Sequence, residues 1–243
     1  MEKLYSKLAN VYHEMYQTKF NYKKEFIFLR KILDQHKCKS VIEMGCGTGM
    51  LASYFLKSGF SYQGLDLSKR MLAIAKKVAP KANFLVCDMR NIKINKKFDA
   101  AIISGRTFTY MRENKDIMKS IKSINKALKN KGLLIFDNFD ANYIFNNFNK
   151  KMVFRTKFRK KIYKRISENE FNLKTGFTWN IKDTYFIKKN KKTRVEKDKT
   201  TLRAFAKDEL KILLNINGFK VLKFIQSDFL KEPFSFFTIA QKI

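Results

Sequence analysis

The segment Val41–Gly49, with the sequence VIEMGCGTG, restricts the fold more than any other part of the chain. A short apolar run leads directly into glycines at three alternate positions, Gly45, Gly47 and Gly49. Glycine after a buried strand lets the chain turn sharply and lets a ligand approach the backbone. The N-terminus of the helix that follows offers N–H groups to that ligand. The segment therefore predicts a ligand-binding turn at the carboxyl edge of a sheet.

The residues around this turn alternate between strand and helix patterns from about residue 20 to residue 139. Strands are predicted at Ser40–Met44, Ser61–Leu65, Asn83–Cys87, Phe98–Ile103 and Leu133–Phe136. Helices are predicted at Tyr22–His36, at Met50–Lys57, from the cap Ser68 to Pro80, and along Ile117, Ile121, Ile124 and Leu128 with Gly132 as the stop. This alternation is typical of βαβ units around a parallel sheet.

The pattern changes after Met152, where aromatic and β-branched residues partly alternate with polar ones. This pattern predicts antiparallel strands near Val153–Phe158, Lys161–Phe171, Phe177–Lys188 and Val195–Phe205, with turns near Lys174–Gly176 and Lys189–Thr193. The chain closes with a predicted helix at Lys207–Asn217, stopped by Gly218, and strands at Phe219–Ile225 and Phe234–Ala240. We therefore predict an α/β fold, a doubly wound and mostly parallel seven-stranded sheet with a β-rich antiparallel insertion before the last helix.

Acidic residues follow the predicted strands close to the glycine turn. Glu43 precedes the first glycine by two residues, Asp66 ends the second strand, and Asp88 ends the third. A dinucleotide-binding turn would need glycine at position 50, which is Met50. A carboxylate at the position of Asp66 can accept both ribose hydroxyls of an adenosine, and Asp88 with Met89 can meet the adenine.

These motifs carry a resemblance to a known family. The set EMGCGTG, GLDLS (Gly64–Ser68) and CDMR (Cys87–Arg90) resembles the class I S-adenosylmethionine-dependent methyltransferases over about residues 10–140. The resemblance implies that Gly45, Gly47 and Gly49 line the methionine part of the cofactor, that Asp66 holds the ribose, and that Asp88 and Met89 hold the adenine. The same resemblance adds as cofactor-binding candidates Tyr12, Lys19, Glu43, Cys46, Thr48, Leu67 and Ser104.

Within that class the chain is most similar to small-molecule N-methyltransferases, above all those that dimethylate nucleotide-linked amino sugars. The similar segments are Ala9–Tyr16, Lys19–Tyr22 and Phe98–Met111, although His13 and Arg106 stand where that group carries an aspartate and a small residue. The resemblance implies that Tyr12 and Tyr16 lie near the cofactor or substrate and that Lys19 faces the cofactor carboxylate. Tyr12, Tyr16, Tyr110 and His13 are candidates for orienting an acceptor amine or taking its proton. The open alternative is that Tyr12 and Tyr16 only pack a helix on the core, and we expect His13 to be a surface residue.

The chain is predicted to be one methyltransferase domain with four parts. These are N-terminal helices forming a lid at 1–38, a cofactor-binding core at 39–150, a basic insertion at 151–206, and a last helix with closing strands at 207–243. A chain of 243 residues is short for two independent enzyme domains. Its sequence leaves a homodimer and a monomer equally open.

The net charge of the sequence is extreme. Lys and Arg number 52 against 21 Asp and Glu, which gives +31, and residues 151–200 hold 17 basic and 5 acidic side chains. Such a field attracts anionic substrates and polyanions. We therefore predict a small anionic substrate, methylated on an amine nitrogen, with Arg106, Arg155, Arg159, Arg165 and Arg203 as candidate contacts. The alternative is an RNA methyltransferase that holds nucleic acid on the insertion.

Several partners are excluded by the sequence pattern. No apolar run reaches the ~20 residues of a membrane span, and the first ten residues lack a signal-peptide core, so we expect a cytoplasmic protein without a membrane partner. Three cysteines and two histidines fit neither a disulfide framework nor a metal pattern, so we expect no metal.

Overall fold

The computed structural model describes residues 2–172, 176–226 and 233–243. Seven α-helices lie in these residues: α1 (Ala9–Tyr16), α2 (Tyr22–Gln35), α3 (Met50–Lys57), α4 (Lys69–Val78), α5 (Asn114–Ala127), α6 (Ala141–Asn146) and α7 (Lys207–Asn215). The first five strands are β1 (Ser40–Met44), β2 (Ser61–Asp66), β3 (Asn83–Val86), β4 (Phe98–Ile103) and β5 (Leu128–Phe139). The remaining six are β6 (Lys151–Phe158), β7 (Lys161–Phe171), β8 (Thr178–Lys189), β9 (Lys192–Arg203), β10 (Phe219–Ile225) and β11 (Ser235–Lys242).

Seven strands form the main sheet in the order β10-β11-β5-β4-β1-β2-β3. Strands β1 to β5 pair in parallel, and only β11 runs antiparallel to its neighbours β5 and β10. The strand order reverses between β1 and β4, and ligands bind at such a switch point in open α/β sheets. The predicted doubly wound seven-stranded fold is therefore confirmed.

Two apolar layers cover the faces of this sheet. One buries Phe98, Phe108 and Phe136 together with the inward faces of α5 and α7. The other buries Phe55 and its neighbours from α2 and α3. Because helices cover both faces, the central strands are buried on both sides, which is why they read as continuous apolar runs in the sequence.

The predicted insertion is a separate antiparallel sheet of four strands in the order β6-β7-β8-β9. Alternate residues of β8 are buried, namely Trp179, Ile181, Asp183 and Tyr185. The N-terminal segment packs on this inner face through Leu4, Leu8 and Met15, which join Tyr163 and Tyr185 in one apolar cluster. The insertion and the N-terminal helix therefore support each other.

One predicted boundary is wrong. Helix α5 ends at Ala127, and β5 begins at Leu128, four residues before the glycine that we predicted as the helix stop. A Cβ on Gly132 would lie 2.9 Å from the carbonyl oxygen of Lys129 and 3.2 Å from that of Asp99. Glycine is thus required there by close backbone packing within the sheet.

Two further observations complete the fold. Lys174 and Thr175 of the predicted turn near Lys174–Gly176 lie outside the described residues, whereas the turn between β8 and β9 falls at Asn190 and Lys191. No helix in the described ranges is long and apolar enough to cross a membrane.

Candidate active site

The glycine turn connects β1 to α3 and crosses the carboxyl edge of the sheet. Gly45, Gly47 and Gly49 all have positive φ angles, of 67°, 55° and 71°. A Cβ on Gly45 would lie only 2.3 Å from Cγ2 of Thr107, in the turn after β4. Glycine at this position therefore allows the segment after β1 to pack tightly against the segment after β4.

Asp66, at the end of β2, holds this turn in place. Its carboxylate accepts the backbone N–H groups of Gly47 at 2.9 Å and of Ser68 at 2.7 Å. Burial raises the pKa of Asp66, and these two hydrogen bonds oppose the rise. Ser68 in turn caps α4 by accepting the N–H of Met71. The carboxylate predicted to bind ribose is thus fixed at the carboxyl edge, beside the glycine turn.

Three buried carboxyl groups line the cavity on the other side of the turn: Glu25, Glu43 and Asp137. Glu43 accepts the hydroxyl of Tyr62 at 2.5 Å and that of Ser104 at 3.1 Å. Burial raises the pKa of Glu43 to about 7, although both hydrogen bonds lower it. Burial also raises the pKa of Asp137 to about 6 and that of Glu25 well above its ordinary value.

Sequence reasoning found Glu43 but missed Glu25 and Asp137. Asp137 follows the apolar run Leu133–Phe136, so the rule that selected Asp66 and Asp88 at strand ends would have selected it too. Glu25 lies on α2, and its burial depends on how that helix docks over the sheet. No local pattern in the sequence indicates that position.

Asp88 and Met89 lie after β3, near Asp66. Asp88 caps a short 3₁₀ turn and accepts two hydrogen bonds from the guanidinium of Arg90, the closer at 2.6 Å. Hydrogen bonds from Arg90 lower the pKa of Asp88 below its ordinary range, although burial opposes this. Met89 is buried, whereas Leu67 is 49% exposed. The adenine contacts predicted for these residues stay a prediction.

A second and larger cavity, of about 360 Å³, adjoins the first. It lies between the carboxyl edge of the sheet, the N-terminal segment and the inner face of the four-stranded sheet. Most of its apolar wall is aromatic: Tyr5, Tyr12, Tyr16, Phe20, Tyr110, Phe139, Tyr143, Phe148, Trp179, Tyr185 and Phe234. Tyr12, Phe20 and Gly105 line both cavities, so the two lie side by side.

The three tyrosines proposed to orient the substrate meet in this cavity. Tyr12 stacks on Tyr16 with ring centroids 4.5 Å apart, and Tyr5 hydrogen-bonds Tyr110 through their hydroxyls at 2.5 Å. Burial raises the pKa of Tyr5, Tyr12 and Tyr110. These three hydroxyls are therefore protonated at neutral pH.

The candidate cations divide into two groups. Lys19, Arg106 and Arg165 line the larger cavity. Arg165 donates two hydrogen bonds to Asp183, at 2.8 and 2.7 Å, and a third to the hydroxyl of Tyr16 at 2.5 Å. Desolvation, followed by repulsion from Arg106 and Arg165, lowers the pKa of Lys19 to about 8.

The structure does not bring the other three arginines to the cavity. Arg155 and Arg159 are exposed on β6 and on the turn after it. Arg203 is buried, where it donates to the carbonyl of Arg112 and to the carboxylate of Glu209. Arg203 therefore ties the end of β9 to α7.

His13, which we predicted to be a surface residue, lies half-buried over the glycine turn. Its Nδ1 and the hydroxyl of Thr48 are 3.1 Å apart. Thr48 was predicted as a cofactor-binding residue from the glycine turn. Its pairing with His13 of α1 was not, because that contact depends on tertiary structure. This contact fixes α1 directly above the turn.

Comparison with known proteins shows what the core of the chain resembles. Residues 41–132, less than half of the chain, match the family described as the methyltransferase domain. The putative methyltransferase YqeM of Bacillus subtilis is 33% identical over 101 residues, which cover 40% of this chain and 41% of that protein. The first match falls within the predicted cofactor-binding core, and both matches agree with the predicted family.

Two further methyltransferases are similar to this chain. The dTDP-3-amino-3,4,6-trideoxy-alpha-D-glucopyranose N,N-dimethyltransferase of Streptomyces venezuelae is 27% identical over 101 residues, 42% of this chain and 43% of that protein. The chain thus spans less than half the length of these relatives. The structure of CalS10, an amino pentose methyltransferase of Micromonospora echinaspora with S-adenosylmethionine bound, has a TM-score of 0.79 at 15% identity, over 96% of this chain and 97% of that one. That likeness shows the shared fold.

Proposed function

We propose that this protein transfers a methyl group from S-adenosylmethionine to the amine nitrogen of a small anionic metabolite. One observation carries the proposal: a cavity of about 50 Å³ at the glycine turn shares lining residues with a larger, aromatic-lined cavity of about 360 Å³. Adjacent cavities of this kind provide neighbouring positions for part of a cofactor and for a second small molecule. Their proximity supports direct transfer from one to the other.

The residues at the turn suit S-adenosylmethionine. The Asp66 carboxylate is fixed by two backbone N–H groups at a strand end where a ribose can bind. Carboxyl groups surround the adjoining cavity, and the cofactor carries positive charge on its sulfonium and its ammonium group. When bound, the cofactor supplies a methyl group that is already electrophilic. The donor set therefore matches both the diol and the charge of the cofactor.

The protein's contribution to transfer is alignment and exclusion of water. Tyr12 lines both cavities, and Tyr16 and Tyr110 extend the same wall into the larger one. Because burial raises the pKa of Tyr12 and Tyr110, these hydroxyls stay neutral, and their oxygens can accept an N–H hydrogen bond from the acceptor amine, which leaves the nitrogen lone pair free to attack. We assign the three tyrosines the role of orienting the acceptor amine.

The acceptor class is inferred from the charge of the larger cavity and from the relatives. Lys19, Arg106 and Arg165 lie on its wall together with Glu2, Asp183 and Asp198, and Asp183 pairs with Arg165. The cationic side chains can hold a phosphate or carboxylate group of the acceptor, because charge-assisted hydrogen bonds to Arg and Lys are strong. An amine acceptor is supported by the names of the amino-sugar methyltransferases that the chain resembles. The cytoplasmic location and the choice between monomer and homodimer stay predictions.

The proposal is tested with S-adenosylmethionine labelled in its methyl group. The purified protein is incubated with this cofactor and a cell extract, and small molecules, nucleic acid and protein are then separated. We expect label in the small-molecule fraction and none with Asp66→Ala, which loses the predicted ribose contact. Label in RNA would overturn the metabolite proposal and favour the RNA methyltransferase alternative. A dTDP-linked amino sugar is the first defined acceptor to assay.

A further inference from the structure

A further cavity lies between α1 and one end of the four-stranded sheet. Its volume is about 400 Å³, and none of its lining residues in the described ranges lines either cavity of the candidate active site. Residues between 7 and 14, in α1 and the turn before it, form one wall, and sheet residues next to the turns at 159–160 and 190–191 form the other. Its size is that of a small-molecule site. The proposed methyl transfer makes no use of it.

The lining of this cavity is strongly cationic. The charged lining residues that the structure describes are five bases and one acid: Lys7, Lys161, Lys189, Lys192, Arg194 and Glu14. Two of the bases are partnered, since Lys161 pairs with Glu14 at 2.8 Å and Arg194 pairs with Glu196 at 2.6 Å. A cleft lined by one sign of charge focuses its field and concentrates counter-ions. The cavity is therefore suited to an anion.

Three of these lysines form one row across the sheet. Lys161, Lys189 and Lys192 are directly opposed on β7, β8 and β9. Like charges that face each other in this way destabilise an antiparallel pair. Within the described residues, Lys189 and Lys192 have neither an ion pair nor a side-chain hydrogen bond, and the same holds for Lys7 on the opposite wall. The row therefore indicates an anionic ligand, which offsets the repulsion.

The buried part of the lining is apolar. Leu8 and Tyr163 are each 1% exposed, and Val11 and Ile187 pack against them. These residues form the floor of the cavity, whereas the lysines without ion pairs are exposed at its rim. A ligand can therefore place its charged groups at the rim and an apolar or aromatic body on the floor.

The spacing of the lysine row favours linked phosphates over a single carboxylate. Neighbouring strands lie about 4.8 Å apart, so the three lysines extend over about 10 Å. Linked phosphates spread several negative charges along a similar length, whereas one carboxylate meets only one lysine closely. We infer that this cavity binds a chain of linked phosphates, either free or as part of a nucleotide.

Helix α1 connects this cavity to the candidate active site. Its residues Val11 and Glu14 line the cavity described here, whereas Tyr12 and Tyr16 line the larger aromatic cavity. A ligand that bridges the N-terminal segment and the sheet holds α1 in this position. Phosphate binding therefore stabilises the wall that α1 contributes to the active site.

Isothermal titration calorimetry with inorganic tripolyphosphate tests the site. We expect one site per chain in the wild type. Binding should be about 5- to 30-fold weaker in the double variant Lys189→Ala and Lys192→Ala, which removes two solvent-exposed charge contacts.

The matched control is the double variant Lys188→Ala and Lys197→Ala, because these lysines lie on the same two strands and face the opposite side of the sheet. It should change the affinity less than about twofold at about 150 mM salt, since salt screens charges on the far face. All four lysines are exposed, so neither variant removes a packing contact. An equal loss in the two double variants would reduce the effect to diffuse surface charge and overturn the inference. A wild type that does not bind tripolyphosphate would overturn it too.

The same titration with GTP distinguishes the two sources of linked phosphates. Binding about tenfold tighter than that of tripolyphosphate, and weakened in the Lys189 and Lys192 variant, would assign the floor to a nucleotide base. Binding that is no tighter would assign the site to the phosphates alone.

Amide hydrogen exchange tests the connection to α1. At about ten times its dissociation constant, tripolyphosphate should slow exchange in residues 9–16 by up to about tenfold, because it binds only the docked helix. The Lys189 and Lys192 variant should show less protection at the same concentration. Unchanged exchange in the wild type would overturn the bridging of α1 and the sheet. None of these measurements needs methyl transfer, so their outcome is independent of the proposed function.

Discussion

At the scale of the residue, Gly45 determines how closely the segments after β1 and β4 approach each other. Gly45→Ala combines a positive φ of 67° with a Cβ that would lie 2.3 Å from Thr107. We expect it to lower the free energy of unfolding by about 2–5 kcal/mol, from backbone strain and overpacking together. Urea denaturation measures this difference.

Gly59→Ala is the matched control, since Gly59 has a φ of 81° and nothing within 4 Å of its Cβ position. It should cost only the strain, about 1–2 kcal/mol. Equal losses for the two variants would mean that Thr107 gives way without cost and that the close approach contributes nothing.

The carboxyl groups of the cavity beside the glycine turn predict how stability depends on pH. The pKa of Glu43 is raised to about 7 and that of Asp137 to about 6, so the folded chain binds these protons more tightly than the unfolded chain does. Their contribution to stability is present below about pH 4, near the ordinary carboxyl pKa values, and is lost as the pH rises through 6 and 7. We therefore expect the free energy of unfolding of Glu43→Gln, relative to that of the wild type, to be higher at pH 8 than at pH 5.

The measurement is urea denaturation of the ligand-free protein at both pH values. An exposed residue, as in Glu168→Gln, serves as the control. A stability difference for Glu43→Gln that does not change with pH would contradict the raised pKa.

The sequence predicts those site residues whose role is local. Gly45, Asp66 and Glu43 lie in or next to a strand end, and the structure gathers them at one edge of the sheet as expected. Glu25, His13 and the pairing of Arg203 with Glu209 depend on contacts between distant segments. Charge alone suggested Arg155, Arg159 and Arg203 as substrate contacts, and the structure keeps all three out of the cavity. A basic residue type does not indicate which face of a strand it occupies.

At the scale of the element, the central strands were predicted to within one residue, apart from β5. Their apolar runs follow from burial on both faces, which makes the signal strong. The limits of β5 could not be predicted, because Lys129 to Gly132 carry no apolar pattern and Leu128 pairs with Phe98 only in the folded sheet. In the insertion, β7 has the predicted bounds, whereas β6 and β9 begin two and three residues earlier than predicted, because their first residues include polar ones.

Helix α1 is held over the cavity by contacts with the four-stranded sheet. Glu14 accepts hydrogen bonds from Lys161, at 2.8 and 2.9 Å, and from the hydroxyl of Tyr163. We expect Glu14→Gln to raise amide hydrogen exchange in residues 9–16 about 3- to 10-fold, while β1 is unaffected. This increase in exchange is modest because the side chain of Lys161 is 35% exposed and solvent screens its ion pair with Glu14. Mass spectrometry of exchanged peptides measures it.

Glu113→Gln removes an equivalent but fully exposed pair with Lys115 and is the control. Unchanged exchange in α1 of the Glu14 variant would show that apolar contacts of Leu8 and Met15 alone hold the helix.

At the scale of the whole molecule, most of the positive charge of the insertion lies on the face away from the candidate site. Directly opposed residues of neighbouring strands share a face, and the rows Lys157–Ile162–Lys188, Arg155–Lys164–Phe186 and Lys182–Lys199 lie on the face away from the cavity. The inner face instead carries the buried Tyr163, Asp183 and Tyr185. The outer face is therefore suited to non-specific attraction of polyanions, and the inner face to a small molecule.

This separation predicts that RNA binding and methyl transfer respond differently to salt and to mutation. We expect RNA binding to weaken about 10- to 1,000-fold between 50 and 200 mM salt, because released counterions drive it. Methyl transfer to a small acceptor should change far less, since buried charges are screened less. The triple variant Lys188→Ala, Lys197→Ala and Lys199→Ala should reduce RNA binding and its salt slope while leaving methyl transfer unchanged.

The control for net charge is the same change at three exposed lysines outside the insertion, Lys57, Lys76 and Lys220. Fluorescence anisotropy with a labelled RNA and the methyl-transfer assay are run on the same preparations. A parallel loss of both in the outer-face variant would make RNA the substrate, because only a substrate bound on that face connects the two measurements.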